Sequence, residues 1–293
     1  MEGKIELIGL KMPDIKPGDD LVELILDASR QVGGLKDGDV IVLASKIVSK
    51  AKGLLVRLDG VEPSKRAVRM AKKMKEDPRF VQAVLDNSDE VLFALPILKL
   101  VEAGLIDLSK LSRVESSAYE VIRKFPCTLF VRSGVHIYSD AGIDSSNHPE
   151  GVVSVPPRNP DGVAEEIRRR IFELTGKYVA VVISDTEFMP FIGSLDVARG
   201  ASGLEVVAKK FGEADLYGKP KFGGADHIAH ELACASALLM GQTSEGVPAV
   251  IVRGYEYVRK DESISEYQLK PCLLYTSDAA DDGESVDLGG RRI

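Results

Sequence analysis

The sequence predicts an α+β protein of mixed sheets with packed helices, on three observations. Short apolar runs bounded by turn residues recur along the chain and read as strands. Longer stretches with apolar residues on one helical stripe lie among them. The two kinds of segment intermix without the strict rhythm of a doubly wound parallel sheet. The chain has 293 residues, 44% hydrophobic and 28% charged, which is ample for a buried core.

Lys4 to Leu10 places Ile5 and Leu7 in alternation and predicts a strand. A turn-like segment follows, and Asp20 then caps a helix with Leu21, Leu24, Ile25, Ala28 and Val32 on one stripe, stopped by Gly33 and Gly34. Asp39 to Ala44 is a compact strand that runs into a loop, Ser45 to Lys50. Residues 63–75 and 78–85 predict two short helices, and 128–138 one or two strands. The segment at about 94–123 is compatible with a helix plus a connection. Asp161 is expected to cap a long helix to about Thr175, ended by Gly176. Residues 178–183 are so apolar that a strand buried on both faces is expected. A helix from about Asp226 to Met240, stopped by Gly241, and a strand from Pro248 to Val252 complete the pattern.

Residues 272–293 have no helical or strand period. They resemble the translation of a transposase-type sequencing-library adapter, with Gly283, Glu284 and Ser285 in the place of the sample index. The expectation is one domain over 1–271, with an extra segment at about 94–123, followed by a non-native tail excluded from fold reasoning. No apolar run approaches the roughly 20 residues that span a bilayer. The N-terminus lacks the features of a signal peptide, so a cytoplasmic protein is expected. Cys127, Cys234 and Cys272 show neither metal-type spacing nor a disulfide framework. The net charge of −7 disfavours a nucleic-acid partner.

Three segments are candidates for chemistry. Asp140 to Asn147 packs Asp, Ser, Asn and Gly into eight residues, which also suits an Asx-turn loop. Asp185 and Thr186 follow the most apolar strand, where a carboxylate would stand at an exposed strand end, or equally cap a helix or open a turn. Together, Asp144 and Asp185 offer hard oxygens for Mg²⁺, which prefers one or two carboxylates plus substrate phosphates. Two such carboxylates without a cation would repel each other. Ser45, Lys46, Ser49 and Lys50 follow another apolar strand and suit phosphate contacts, or form a solvated loop. The chain has no P-loop pattern and no dinucleotide fingerprint. His227, His230 and Glu231 could share a helical face and are read as packing or dimer-contact residues, since they match no zinc-protease signature.

In order along the chain stand Ser-Lys-Ile-Val-Ser-Lys-Ala-Lys-Gly from Ser45, Asp-Ala-Gly-Ile-Asp-Ser-Ser-Asn from Asp140, Pro-Pro-Arg-Asn-Pro-Asp-Gly from Pro156 and Ser-Asp-Thr from Ser184. Asp-Leu-Tyr-Gly-Lys-Pro-Lys-Phe-Gly-Gly from Asp215 and Leu-Met-Gly-Gln with Gly-Val-Pro-Ala-Val-Ile-Val-Arg-Gly follow. This ordered set resembles the gamma-glutamyl ligases of the deazaflavin coenzyme F420 over about Ile5 to Tyr257. The resemblance implies a two-lobed α+β ligase fold, a homodimer, and GTP with two divalent ions, Mg²⁺ or Mn²⁺. A monovalent cation such as K⁺ is a further candidate. The implied reaction adds L-glutamate to the coenzyme's terminal carboxylate, then a second, gamma-linked glutamate, through an acyl phosphate.

By the same resemblance Asp144 and Asp185 match first-metal ligands and catalytic positions, and Thr186 and Gln242 second-metal ligands. Met12, Pro13, Asp14, Ile15, Ser45, Lys46, Lys50 and Asn147 match nucleotide contacts. So does the segment Met240, Gly241, Gln242, Thr243, Ser244, Glu245, Gly246 and Val247. The chain departs from the family after Thr186, where many members carry an arginine in a glycine-containing loop and here none appears before Arg199. That departure bears on substrate phosphate contacts. Lys52 stands where an acidic residue is usual, and the 94–123 segment has no counterpart in the shortest members. Other readings are an amide ligase with a different carboxylate acceptor, a metal-dependent phosphohydrolase, and a non-catalytic nucleotide- or metal-binding homologue.

Overall fold

The computed structural model describes residues 3–189 and 193–267; the tail 272–293, with Cys272, lies outside them. In chain order the elements are β1 (Glu6–Leu10), α1 (Leu21–Arg30), β2 (Val40–Ala44), α2 (Ser45–Ala51), β3 (Leu55–Arg57), α3 (Lys65–Met74), α4 (Pro78–Asp86), β4 (Glu90–Leu95) and α5 (Ile97–Glu102). There follow α6 (Glu115–Lys124), β5 (Thr128–Ser133), β6 (His136–Ser139), β7 (Val152–Ser154), α7 (Pro160–Thr175), β8 (Ala180–Met189), β9 (Gly193–Ser202), α8 (Ile228–Met240) and β10 (Ala249–Arg253). The fold is α+β, as the sequence predicts.

Five strands form the main sheet in the order β1-β10-β2-β8-β9, and β2 with β8 is its one parallel pair. Strand alternation divides the apolar residues between two cores. Ile41, Leu43, Val181, Ile183 and Ile251 pack against α1, α2 and α7. Val40, Val42, Val182, Val250 and Val252 pack against α8. Everything from α2 to α7 is the connection between the two parallel strands. Within it, Ala67, Ala71, Phe80, Val81 and Val84 of α3 and α4 pack on Leu129, Val131 and Tyr138 of the three-stranded sheet β4-β5-β6, making a third core.

The local signals act largely as read. The Asp20 carboxylate accepts from the Val22 and Glu23 amides at 3.1 Å and starts α1, while Gly176, with φ of +68°, ends α7. Four expectations need correction. The segment from Ser45 is the helix α2 rather than a loop, because β2 passes into it with no turn between. The cap of α7 is Asn159, whose side chain accepts from the Gly162 amide, with Pro160 in the first turn. Asp161 instead accepts from the amides of Ala201, Ile264 and Ser265, tying α7 to β9 and to the last described turn. Val32 lies beyond the end of α1 and is exposed.

The fourth correction concerns β8, which is ten residues long and continues through Asp185 and Thr186. Its partner β9 is a strand the sequence reading did not anticipate. Glycine at 200 makes room for α7 on β9, since a Cβ there would sit 2.3 Å from the Pro160 carbonyl carbon. The 94–123 segment folds as the end of β4, α5, a single 3-10 turn and most of α6.

Candidate active site at the rim of the main sheet

Sheet register brings the candidate residues together. Ala44 at the end of β2 pairs with Ser184 of β8. The next residues, Ser45 and Asp185, are therefore neighbours, and the Ser45 hydroxyl donates to Asp185 Oδ1 at 2.8 Å. The loop before β10 reaches the same rim, where the Ala44 amide bonds the Pro248 carbonyl at 2.9 Å. The chain after β1 joins it through the Met12 amide and the Gly246 carbonyl at 3.3 Å. The 140–147 loop arrives from the third core, held by a two-residue bridge between Asp144 and Ser154.

These segments enclose a cleft of about 590 Å³. The residues matched to metal and nucleotide positions line it: Met12, Pro13, Asp14, Ile15, Ser45, Lys46, Lys50, Asp144, Asn147, Asp185, Thr186, and Met240 to Val247; Ser49, the other candidate of the segment after β2, is buried and does not. No residue of 94–123 does. That segment lengthens the surface of the third core and leaves the cleft uncovered. Lys52 also lies outside the cleft, paired with Glu166 at 2.7 Å.

Strand alternation splits the polar groups into two clusters. On the α2 side stands Asp185, with Ser45 as its hydrogen-bond donor. Burial pushes its carboxyl up to about 6, opposed by Arg199 and by the Ser45 hydrogen bond. Asp144 completes this side: its Oδ2 is 2.7 Å from Lys46 Nζ, and its Oδ1 accepts from the Ser146 amide at 2.7 Å. Lys46 also donates to Ser146 Oγ. Lys50, almost buried, pairs with Asp14 at 2.7 Å. Asn147 donates to the Thr243 carbonyl at 3.2 Å, joining the loop to the 240–247 segment.

On the α8 side, Thr186 pairs across the strands with Asp196 of β9. The Thr186 hydroxyl donates to Asp196 Oδ1 at 2.7 Å, and Gln242 Nε2 lies 3.3 Å from the same oxygen. Ser184 Oγ donates to Asp196 Oδ2 at 3.0 Å. Asp196 is the site residue that sequence reasoning missed. Its signal, a lone aspartate among small residues in Ser-Leu-Asp-Val-Ala, gains meaning only from the β8–β9 register. Arg199 does not reach into the cleft. It forms a buried ion pair with Glu187, donates to the Ile137 carbonyl at 2.9 Å and stacks 4.0 Å from the Tyr138 ring. It thereby fastens β8 and β9 to β6.

His227 and His230 stack at 3.8 Å, and His230 Nδ1 accepts from the Ala198 amide, which gives them packing work on β9. Cys127 and Cys234 are free thiols. Among the described residues no three His, Cys, Asp or Glu side chains stand close enough to hold a metal by themselves. The donor set suits a hard divalent cation all the same, because it consists of carboxylate, hydroxyl and amide oxygens beside room for phosphate oxygens. A half-buried Asp185 whose only polar side-chain contact among the described residues is a hydroxyl also calls for a compensating positive charge.

Comparison with known proteins gives the class of this protein, an amide-forming ligase. Residues 9–254 match the family described as F420-0:Gamma-glutamyl ligase. A Coenzyme F420:L-glutamate ligase of Methanothermobacter thermautotrophicus is 39% identical over 274 residues, covering 92% of this chain and 95% of that protein. One of Archaeoglobus fulgidus is 38% identical, covering 89% and 96%. One of Methanocaldococcus jannaschii is 36% identical, covering 86% and 88%. The chain belongs to the F420-0:gamma-glutamyl ligase family and is a ligase that forms amide bonds. Among the described residues no helix is long and apolar enough to cross a membrane.

Proposed function

We propose that this ligase uses GTP to add L-glutamate to the terminal carboxylate of the coenzyme F420 precursor, and then a second, gamma-linked glutamate, in the cytoplasm. The observation that supports it most is the pair of oxygen clusters on the two faces of β8, with two ammonium groups beside them in one cleft. Met12 to Ile15, Ser45, Lys46, Lys50, Asn147 and the 240–247 segment bind and orient the nucleotide. Lys46 and Lys50 meet its phosphates as charge-assisted donors. Asp144 and Asp185 would hold one Mg²⁺ or Mn²⁺, and Thr186 and Gln242 a second. Bound there, the ions would neutralise charge on the transferring phosphoryl group.

The acceptor carboxylate attacks the γ-phosphorus of GTP, and GDP leaves. The resulting acyl phosphate is attacked by the glutamate amine, which loses a proton, and phosphate leaves as the amide forms. The residues around the cleft keep the two reactants in register and limit access of water to the acyl phosphate. A monovalent cation such as K⁺ would add to the counter-charge. The reading includes a homodimer: Leu216, Tyr217 and Phe222 of the hairpin at 211–222 are almost fully exposed, an apolar surface suited to a second copy.

The purified chain incubated with GTP, Mn²⁺, L-glutamate and the glutamate-free coenzyme tests the reading by mass spectrometry. The expected product is the coenzyme heavier by one glutamyl unit, then by two, with GDP and phosphate formed in step. GTP hydrolysis without that gain would overturn the assignment in favour of a phosphohydrolase.

A further inference from the structure

We propose that Asp196 is a positioning residue that sets the Thr186 hydroxyl and the Gln242 amide as oxygen donors toward the second divalent cation. The inference rests on the two-ion reading above and deepens it. A carboxylate only accepts hydrogen bonds, so its neighbours must turn their protons toward it. Asp196 is 7% exposed and lies directly across the β8–β9 ladder from Thr186. The Thr186 hydroxyl has one proton and two acceptors within reach, Asp196 Oδ1 at 2.7 Å and Gln242 Oε1 at 3.2 Å. The charged and nearer oxygen takes it, which leaves one lone pair of the Thr186 oxygen to accept from Gln242 Nε2 at 3.0 Å and the other free.

Gln242 is governed by the same oxygen. Its Nε2 lies 3.3 Å from Asp196 Oδ1 and 3.0 Å from Thr186 Oγ1. The reversed amide would set Oε1 against the carboxylate, two acceptors with no proton between them. The charge on Asp196 therefore selects the amide rotamer in which Oε1 is the available oxygen. Ser184 anchors the other carboxylate oxygen at 3.0 Å, so the orienting group is itself fixed. Asp185 points to the opposite face of β8 and takes no part in this network.

This makes a separation that experiment can read. Mn²⁺ is titrated into the full chain with a non-hydrolysable GTP analogue, and bound ions are counted by the loss of the free-ion paramagnetic resonance signal. The natural chain is expected to bind two ions. Asp196→Asn, which keeps an acceptor oxygen but no charge, is expected to weaken the second ion by about 10- to 100-fold and leave the first within about twofold. Asp196→Glu keeps the charge and moves it by one methylene, and is expected to weaken the second ion as well. Thermal unfolding without Mn²⁺ should shift by less than about 5 °C in both variants. Two tight ions in either variant would overturn the positioning role while leaving the proposed reaction intact. Loss of both ions, or a large fall in the metal-free melting temperature, would overturn it in favour of a purely structural role. Fewer than two ions in the natural chain would overturn the two-ion reading, and this inference with it.

Discussion

The rim of the main sheet and the 140–147 loop each deliver an aspartate to one cleft, by opposite physical means. Asp185 stands on a paired strand just past a register shift, and among the described residues its polar side-chain contact is the Ser45 hydroxyl. Asp144 stands on a loop whose backbone is strained: Asp140, Ala141 and Asn147 all have positive φ. Its charge is already met by Lys46. The strand offers a desolvated anion in a rigid place, and the loop an anion whose partner can exchange it for another cation. Pre-organisation by the sheet costs little here, because β8 is held on both edges up to Ser184 and by β9 at Asp185 itself. The loop is held by Ser154, Thr243 and the packing of Tyr138.

If the comparison is right, Asp185→Asn has the largest effect. Turnover in the glutamylation assay should fall by roughly a thousandfold or more, because the least replaceable negative charge is lost. The metal-free protein should melt no lower than the natural chain, since a buried charge has been removed. Asp144→Asn should cost less, roughly 10- to 100-fold, because Lys46 and the Ser146 amide still organise the loop. A greater loss for Asp144→Asn than for Asp185→Asn would reverse the comparison.

The loop also carries a half-buried acid away from the cleft. Burial pushes the Asp140 carboxyl up to about 7, against an ordinary value of 3.8, while its Oδ1 accepts from the Leu129 amide. A carboxyl whose folded pKa is raised contributes stability that is complete below pH 3.8 and is lost as pH rises through about 7. Asp140→Asn keeps the acceptor, and asparagine tolerates positive φ. Urea unfolding at pH 8 should show this variant more stable by roughly 2–4 kcal/mol, with the difference vanishing below pH 4. Equal stability at both pH values would mean the carboxyl is not desolvated.

The smallest expected effect is at Gly142. It has φ of +67°, and a Cβ there would lie 3.0 Å from the Tyr138 ring and 3.1 Å from Pro156. Gly142→Ala should destabilise the fold by roughly 1–2 kcal/mol and raise the KM for nucleotide by moving Asn147. Gly200→Ala, on the sheet side, meets backbone that cannot yield and should be the worse tolerated of the two. An unchanged KM in Gly142→Ala would separate the turn from the cleft.

Much of this was legible along the chain. The runs at 39–44 and 248–252 read as strands because buried strands concentrate Val and Ile, and Asp20 and Gly176 read as helix ends because their roles are local. The candidate residues of the cleft were legible as polar groups next to apolar runs, and as ordered motifs. Three things were not. Asp161 looks like a cap, but its carboxylate bonds amides 40 and 103 residues away. The strand β9 has no apolar signature over Gly193 to Asp196, because β8 supplies its pairing. Asp196 is unremarkable until it stands opposite Thr186.

The sequence by itself determined most of the strands and helices, several of the residues that end them, and which oxygens and ammonium groups were available for chemistry. Those properties depend on periodicity and neighbours within a turn or two. Only the tertiary structure decided that Ser45 meets Asp185, that a register shift after Ile183 carries Asp185 and Thr186 onward within a paired strand, and that Asp196 joins Thr186 and Gln242. Such contacts span from 10 to 140 residues. They are set by strand register, a property of pairs of segments that neither segment contains alone.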